Sequence, residues 1–152
     1  MAGPHGRNLR IGRYDEIDRI YLLTAVTLSR WTVFHNLTAA RCCVGAMRYQ
    51  DQVGRTTTHA SVLMPDHLHW LITLEAGTLA EVMRSMKSYS ARMINRCPGM
   101  SGALWQHGYH DDALRRDEDV RSVARYVIFN PVRVGLVTTV WDYSHWDAVW
   151  VT

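Results

Sequence analysis

Apolar positions recur along the chain with a strand-like period of two in some segments and a helix-like period in others, and the alternation lays out the elements. Ile20 to Leu28 (IYLLTAVTL) is apolar and β-branched and predicts a first strand. Asn36 is a capping residue ahead of LTAARCCVGAMRYQ, which predicts a helix to about residue 52. Residues 57–64 (TTHASVLM) read as a second strand, Met64-Pro65-Asp66-His67 as a turn, and His67 to Glu75 (HLHWLITLE) as the third strand of a hairpin. Thr78 opens a second helix, with Glu81 at capping-box spacing. Its inner stripe is Leu79, Val82, Met83, Met86, Ser90, Met93 and Ile94, while Arg84, Ser85, Ser88, Arg92 and Arg96 fall on the other side. Residues 98–108 (PGMSGALWQHG) form a loop, and Tyr109 to Leu114 a short fourth strand. Asp117 caps a last long helix, DEDVRSVARYVIFN, which Pro131 stops. The tail from Val132 to Thr152 reads as short turns rich in Trp, and residues 1–18 as a loose polar arm. The order β-α-β-β-α-β-α predicts an α+β fold: a ferredoxin-like split β-α-β arrangement, with an antiparallel sheet and helices on one face.

Composition narrows the class. A length of 152 residues fits a single domain spanning 1–152. With 47% hydrophobic and 20% charged residues, the chain has enough apolar surface to fold, which excludes global disorder. No apolar run approaches the ~18 residues of a spanning helix, so no membrane partner is expected. The start, MAGPHGRNLR, lacks the apolar core of a secretory signal, so a cytoplasmic location is expected. The net charge of +3 only hints at a nucleic-acid partner. Of 17 basic residues only Lys87 is a lysine. Arginine's planar fork suits phosphate and base stacking, although a GC-rich genome produces the same bias. Cys42, Cys43 and Cys97 are odd in number and lack CxxC spacing, which points to buried thiols rather than a disulfide framework or zinc site.

Two local features carry chemistry. In His67-Leu68-His69 the imidazoles are two apart on a strand and share a face, where one metal ion can bridge them. Leu68, Trp70, Ile72 and Leu74 point the other way, into the core. Taken alone, the pair reads first as two structural or surface histidines. In the last helix, Val120, Val123, Ala124, Val127 and Ile128 form the apolar stripe. Tyr126 lies outside it, with Asn130 one turn on along nearly the same edge. Taken alone, these are a flank tyrosine and a capping asparagine.

The segments RIYLLTAVTLSRWTVF, MPDHLHWLITL, RSMKSYSARMIN and GALWQHGYHDDALRRDEDVRSVARYVIFNPVRVGLV follow one another in an order that resembles the REP-associated tyrosine transposases. These are relatives of the small single-tyrosine HUH transposases of insertion sequences. The resemblance runs from about residue 11 to residue 146. It implies a DNA endonuclease and strand transferase acting on single-stranded or hairpin DNA, REP-like palindromes among them, through a covalent 5′-phosphotyrosine. It implies that His67 and His69 hold a divalent ion, Mg²⁺ or Mn²⁺, that Asn130 completes the metal site, and that Tyr126 is the nucleophile. Insertion-sequence relatives commonly have glutamine where Asn130 stands. Tyr89 and Tyr109 are rival tyrosines without an amide four residues on. Asp66 reads chiefly as a turn residue.

Such a substrate gives the basic residues a reading. Arg84, Arg92 and Arg96, with Lys87 at their flank, and Arg133 after the last helix are candidates to track phosphates. Trp105, Gln106 and His107 are candidates to stack on or read a base. Taken singly, each reads first as a solvated charge or a packed side chain. The chain stops soon after Trp146, so tail-mediated DNA recognition is not expected. No small-molecule cofactor is expected, and association with the nucleoid is. Monomer and homodimer both remain open. Two other classes stay alongside: a non-cleaving protein that binds structured single-stranded DNA, and a metal-dependent nucleotide hydrolase built on His67 and His69.

Overall fold

The computed structural model describes residues 15–115, 119–136 and, as backbone, 146–148. Among the described residues, five strands, β1 (Ile20–Val26), β2 (Thr56–Met64), β3 (His67–Leu74), β4 (His110–Ala113) and β5 (Trp146–Ala148), form one antiparallel sheet in the order β4-β1-β3-β2-β5. The first four strands have the order a ferredoxin-like split β-α-β arrangement requires. β2 and β3 are the expected hairpin, turning at Pro65-Asp66 with Met64 opposite His67. β5 pairs with the edge of β2 and was not expected from the tail, whose remaining residues, 137–145 and 149–152, lie outside the described ones. The arm at 1–14 and the expected cap Asp117 also lie outside them.

Two helices cross between strands on one sheet face, α1 (Leu37–Gln52) and α2 (Leu79–Ile94). Asn36 caps α1 by accepting from the Ala39 N–H at 3.0 Å. Thr78 caps α2 by accepting from the Glu81 N–H at 3.1 Å, and the Asp15 carboxylate takes the Leu79 N–H at 2.8 Å. Ala39, Ala40, Cys43, Ala46 and Met47 are the buried stripe of α1, small enough for α2 to approach closely. Between the helices and the sheet lie Leu23, Leu63, Leu68, Trp70, Ile72 and Leu74. Trp70 is fully buried because its indole N–H reaches Thr58 Oγ1 at 2.9 Å. Met93 is only half-buried at the end of the α2 stripe.

The last helix behaves differently. α3 (Val120–Ile128) lies on the opposite sheet face, with Ala124 and Ile128 against Ala60 and Leu71, and Val127 against Val62 and Met64. Its cap is Asp119, which accepts from the Arg121 N–H at 3.0 Å. It ends before Phe129, and a separate turn, α4 (Asn130–Arg133), follows. Pro131 therefore lies in the first turn of a new helix rather than stopping one, because the N–H groups of a first turn have no partner within the helix. Gly135 (φ +81°) closes α4, with Leu136 N on Pro131 O at 2.9 Å and Gly135 N on Val132 O at 3.1 Å. Among the described residues, no helix is long and apolar enough to cross a membrane.

Candidate active site

β3 is buried on both faces at its centre because α3 covers the side that the α1–α2 core does not. His67 and His69 stand on this second side, toward the end of the sheet where β3 leaves the hairpin turn. Their ring centroids are 4.8 Å apart and the rings are nearly perpendicular, at 82°. Each Nδ1 has a partner. His67 Nδ1 donates to Asp66 Oδ1 at 2.8 Å, since an ionised carboxylate only accepts. His69 Nδ1 lies 3.0 Å from the hydroxyl of Thr24, its cross-strand neighbour on β1. The Nε2 positions are left as the ligand edges. Burial first, then the charges of His67 and Arg133, push the His69 imidazole down to about 4, so it is neutral at ordinary pH, the form that binds metal.

Asp66 does more than turn the chain. Its second oxygen accepts from Arg30 Nε at 2.9 Å. Burial alone would raise this carboxyl, but the hydrogen bonds from His67 and Arg30 and the Arg30 charge outweigh it and hold the group below its ordinary value. Arg30 is delivered by a tight turn in which Ser29 (φ 54°) and Arg30 (φ 52°) are left-handed, a conformation L-residues disfavour. Thr27 fastens that turn to the hairpin. Its N–H and its hydroxyl both sit 3.0 Å from Asp66 O, and the hydroxyl is also 2.8 Å from Trp31 O. Treating Asp66 by strand alternation missed this, because alternation does not govern a residue at the turn.

Tyr126 stands on α3 with 63% of its surface exposed. The Arg133 guanidinium carbon lies 3.7 Å from its ring centroid. Arg133 Nη1 donates to the Tyr126 carbonyl, and Nη2 donates to Asn130 Oδ1 at 3.1 Å. Asn130 thus presents its amide oxygen to Arg133. Among the described residues, no group of three or more His, Cys, Asp or Glu comes together as a metal cage. The donor types on this side of the sheet are the two imidazoles of β3 and, beyond the end of α3, the Asn130 amide.

The other sequence candidates are dispersed. Arg84 and Arg92 are exposed on α2 and Arg96 in the turn after it, in the layer on the far side of the sheet from the imidazoles. Lys87 is committed to the loop after α2: Nζ donates to Gln106 O at 2.9 Å and to Gly108 O, and burial lowers it to about 8. Trp105 is a core residue, with Nε1 donating to Ser90 Oγ at 3.0 Å and its ring 5.6 Å from Phe34. Gln106 and His107 are exposed, with Gln106 N bonded to Val26 O at 2.8 Å. Of the rival tyrosines, Tyr89 stacks on Tyr49 at 6.0 Å and Tyr109 packs against the α1–α2 core, so both are on the face away from the imidazoles.

Known proteins share this architecture and sequence. The REP-associated tyrosine transposase of Escherichia coli K12 is 28% identical over 85 residues, covering 56% of this chain and 50% of that protein. A Haemophilus influenzae protein provisionally given the same name is 28% identical over 100 residues, covering 57% of each. The chain thus spans about half the length of the curated relatives it matches. The structure of a REP-associated tyrosine transposase bound to a REP hairpin superposes with a TM-score of 0.69 at 22% identity, covering 88% of this chain and 79% of that one. A crystal structure from Deinococcus radiodurans, provisionally named a transposase, gives a TM-score of 0.53 at 22% identity, covering 77% and 94%. The family model described as "Transposase IS200 like" matches residues 19–129, well over half of the sequence, and the chain belongs to that family.

Proposed function

We propose that the protein cleaves and rejoins single-stranded or hairpin DNA, REP-like palindromes among its substrates, with Tyr126 as the nucleophile. The observation that carries this reading is the shared sheet face. Two imidazoles with engaged Nδ1 atoms stand on the side that the tyrosine helix covers, and Arg133 touches Tyr126 while its charge is felt at His69. The solved relative bound to a REP hairpin supports hairpin DNA as the partner.

The donor types here suit a divalent ion. His67 is turned by Asp66 and His69 by Thr24 so that each offers Nε2, and His69 is neutral. With Asn130 as a third donor the set suits Mg²⁺ or, better for imidazole, Mn²⁺. Bound there, the ion would polarise the scissile phosphate and offset the charge that builds on it. The protein's own residues supply the rest. The Tyr126 oxygen attacks phosphorus, an O–P bond to tyrosine forms, the P–O3′ bond breaks, and the phenolic proton ends on the 3′ oxygen. The 5′-phosphotyrosine keeps the phosphodiester energy, so a 3′-hydroxyl can reverse the step on another end, which hydrolysis by water would forbid. A phenol of ordinary pKa ~10 is a weak nucleophile at neutral pH, so holding it at the phosphate supplies much of the rate. Because α3 packs on its own sheet, one chain carries tyrosine and imidazoles together, which supports a site built within a monomer.

The test is a labelled hairpin oligonucleotide incubated with the protein and Mn²⁺. A covalent protein–DNA adduct that disappears in Tyr126→Phe is expected. Binding without any adduct would make the protein a non-cleaving DNA-binding module, and cleavage that survives Tyr126→Phe would make it a hydrolase.

A further inference from the structure

We infer that Arg133 is a positioning residue for the nucleophile, a brace that fixes the Tyr126 ring and the Asn130 amide relative to each other across the break between α3 and α4. The inference deepens the reading above and rests on Tyr126 being the attacking group.

Tyr126 needs such a brace. It stands outside the apolar stripe of α3, 63% exposed, and among the described residues no other ring or cation packs on it. An exposed phenol samples its rotamers freely, and a nucleophile misplaced by about 1 Å loses about a hundredfold in rate. Arg133 limits that freedom by packing on the ring, and two further contacts from the same guanidinium anchor it there. Its plane meets the ring with the central carbon 3.7 Å from the centroid. Nη1 donates to the Tyr126 carbonyl, the C-terminal end of α3. Nη2 donates to Asn130 Oδ1 at 3.1 Å.

The backbone is arranged to deliver it. α3 ends at Ile128, Phe129 still bonds back to Arg125 O through its N–H at 3.0 Å, and the separate turn α4 follows with Pro131 in its first turn. That turn brings Arg133, seven residues on from Tyr126, back over the tyrosine. Gly135, left-handed at φ +81°, closes α4 directly behind it. A continuous helix would also place position 133 on the Tyr126 side, but two turns away. The length of the arginine side chain covers that distance and brings the guanidinium onto the ring. A lysine cannot reproduce the arrangement, because an ammonium is a point charge without a planar fork.

The contacts separate this role from a plain phosphate contact, which predicts a different measurement. The experiment is single-turnover adduct formation on the labelled hairpin at saturating DNA with Mn²⁺, alongside the hairpin Kd and thermal melting, for Arg133→Ala, Arg133→Lys and Tyr126→Phe. Positioning predicts an adduct rate lowered about 10- to 100-fold in Arg133→Ala, a hairpin Kd changed by less than about threefold, an unchanged melting temperature, partial recovery in Arg133→Lys and partial rescue of Arg133→Ala by methylguanidinium. A readout free of DNA and metal accompanies it. In protein labelled with 3-fluorotyrosine, the fluorine line assigned to Tyr126 by its loss in Tyr126→Phe moves in Arg133→Ala. A saturating rate unchanged in Arg133→Ala overturns the inference, as does full recovery in Arg133→Lys, which would make Arg133 a charge only. If Arg133→Ala does not fold, Arg133→Lys decides alone: a lowered adduct rate supports the brace and a wild-type rate overturns it. Failure of the underlying reading looks different: the adduct persists in Tyr126→Phe whatever Arg133 does.

Discussion

Asp66 is where a side chain remote from the scissile bond has the sharpest expected effect. Asp66→Ala removes both carboxylate oxygens but leaves the turn intact, because the Asp66 carbonyl, not its side chain, takes the Thr27 N–H and hydroxyl. Two interactions are lost, and they differ in kind. The pair with Arg30 reaches a side chain that is 60% exposed, so it contributes about 0–1 kcal/mol, no more than about fivefold in any equilibrium. The bond to His67 joins side chains only 18% and 21% exposed at 2.8 Å, and it fixes which ring nitrogen is left for the proposed ion. Removing the carboxylate behind an imidazole ligand typically lowers metal affinity about 10- to 100-fold, or about 1.4–2.7 kcal/mol. Titrating Mn²⁺ into the protein–hairpin complex and following the free-ion resonance by EPR measures this. Asp66→Ala should weaken Mn²⁺ by one to two decades, and Arg30→Ala by no more than about fivefold. Asp66→Asn should fall between wild type and Asp66→Ala, because one amide oxygen can satisfy His67 or Arg30 but not both as the carboxylate does. If Mn²⁺ affinity is unchanged in Asp66→Ala but lost in His67→Ala, the carboxylate does not act through the imidazole and the argument fails.

Three further outcomes follow from the same geometry. Burial lowers Lys87 from 10.5 to about 8, so between those pH values the unfolded chain holds a proton the folded chain lacks. Its contribution to unfolding free energy should then rise with pH across that window and be flat below it, and urea denaturation should show the rise lost in Lys87→Met. Trp105→Phe deletes a buried donor to Ser90 and should destabilise by about 1–3 kcal/mol, with hairpin affinity unchanged for the folded protein. A loss of hairpin affinity without a loss of stability would return Trp105 to a base-stacking role. Gly135→Ala meets no steric obstacle but forces a side chain into φ +81°. It should cost about 1–2 kcal/mol locally, seen as about 5- to 30-fold faster hydrogen exchange at Leu136, whose N–H closes α4.

Much of the fold was legible because its signals are local. Asn36 and Thr78 cap the helices they precede, since a capping side chain bonds an N–H only three residues on. The alternation in HLHWLITL put Leu68, Trp70, Ile72 and Leu74 in the core and the two histidines opposite. The stripe of α3 was legible too, and left Tyr126 outside it, but a stripe names the helix face that is buried and not the sheet face it is buried against. That choice brings the tyrosine helix to the imidazole side, and it depends on Ala60, Val62 and Leu71 being apolar on a face where His67 and His69 are not.

What the sequence hid is what closes over distance or through an irregular turn. Lys87 and the carbonyls it holds are about twenty positions apart, and an isolated lysine among arginines looks like any other basic residue on a helix flank. Arg30 reaches Asp66 through two left-handed residues that no propensity favours, and that strain persists because Thr27 ties both turns together. Pro131 carries the same lesson in a smaller space. As a helix stop it placed Arg133 in the tail, whereas within the first turn of α4 it belongs to the segment that carries Arg133 back onto Tyr126. The chemistry-bearing side chains were thus readable as types, while the residues that aim them, Asp66 at the imidazole and Arg133 at the phenol, are defined only by the turns that bring them back.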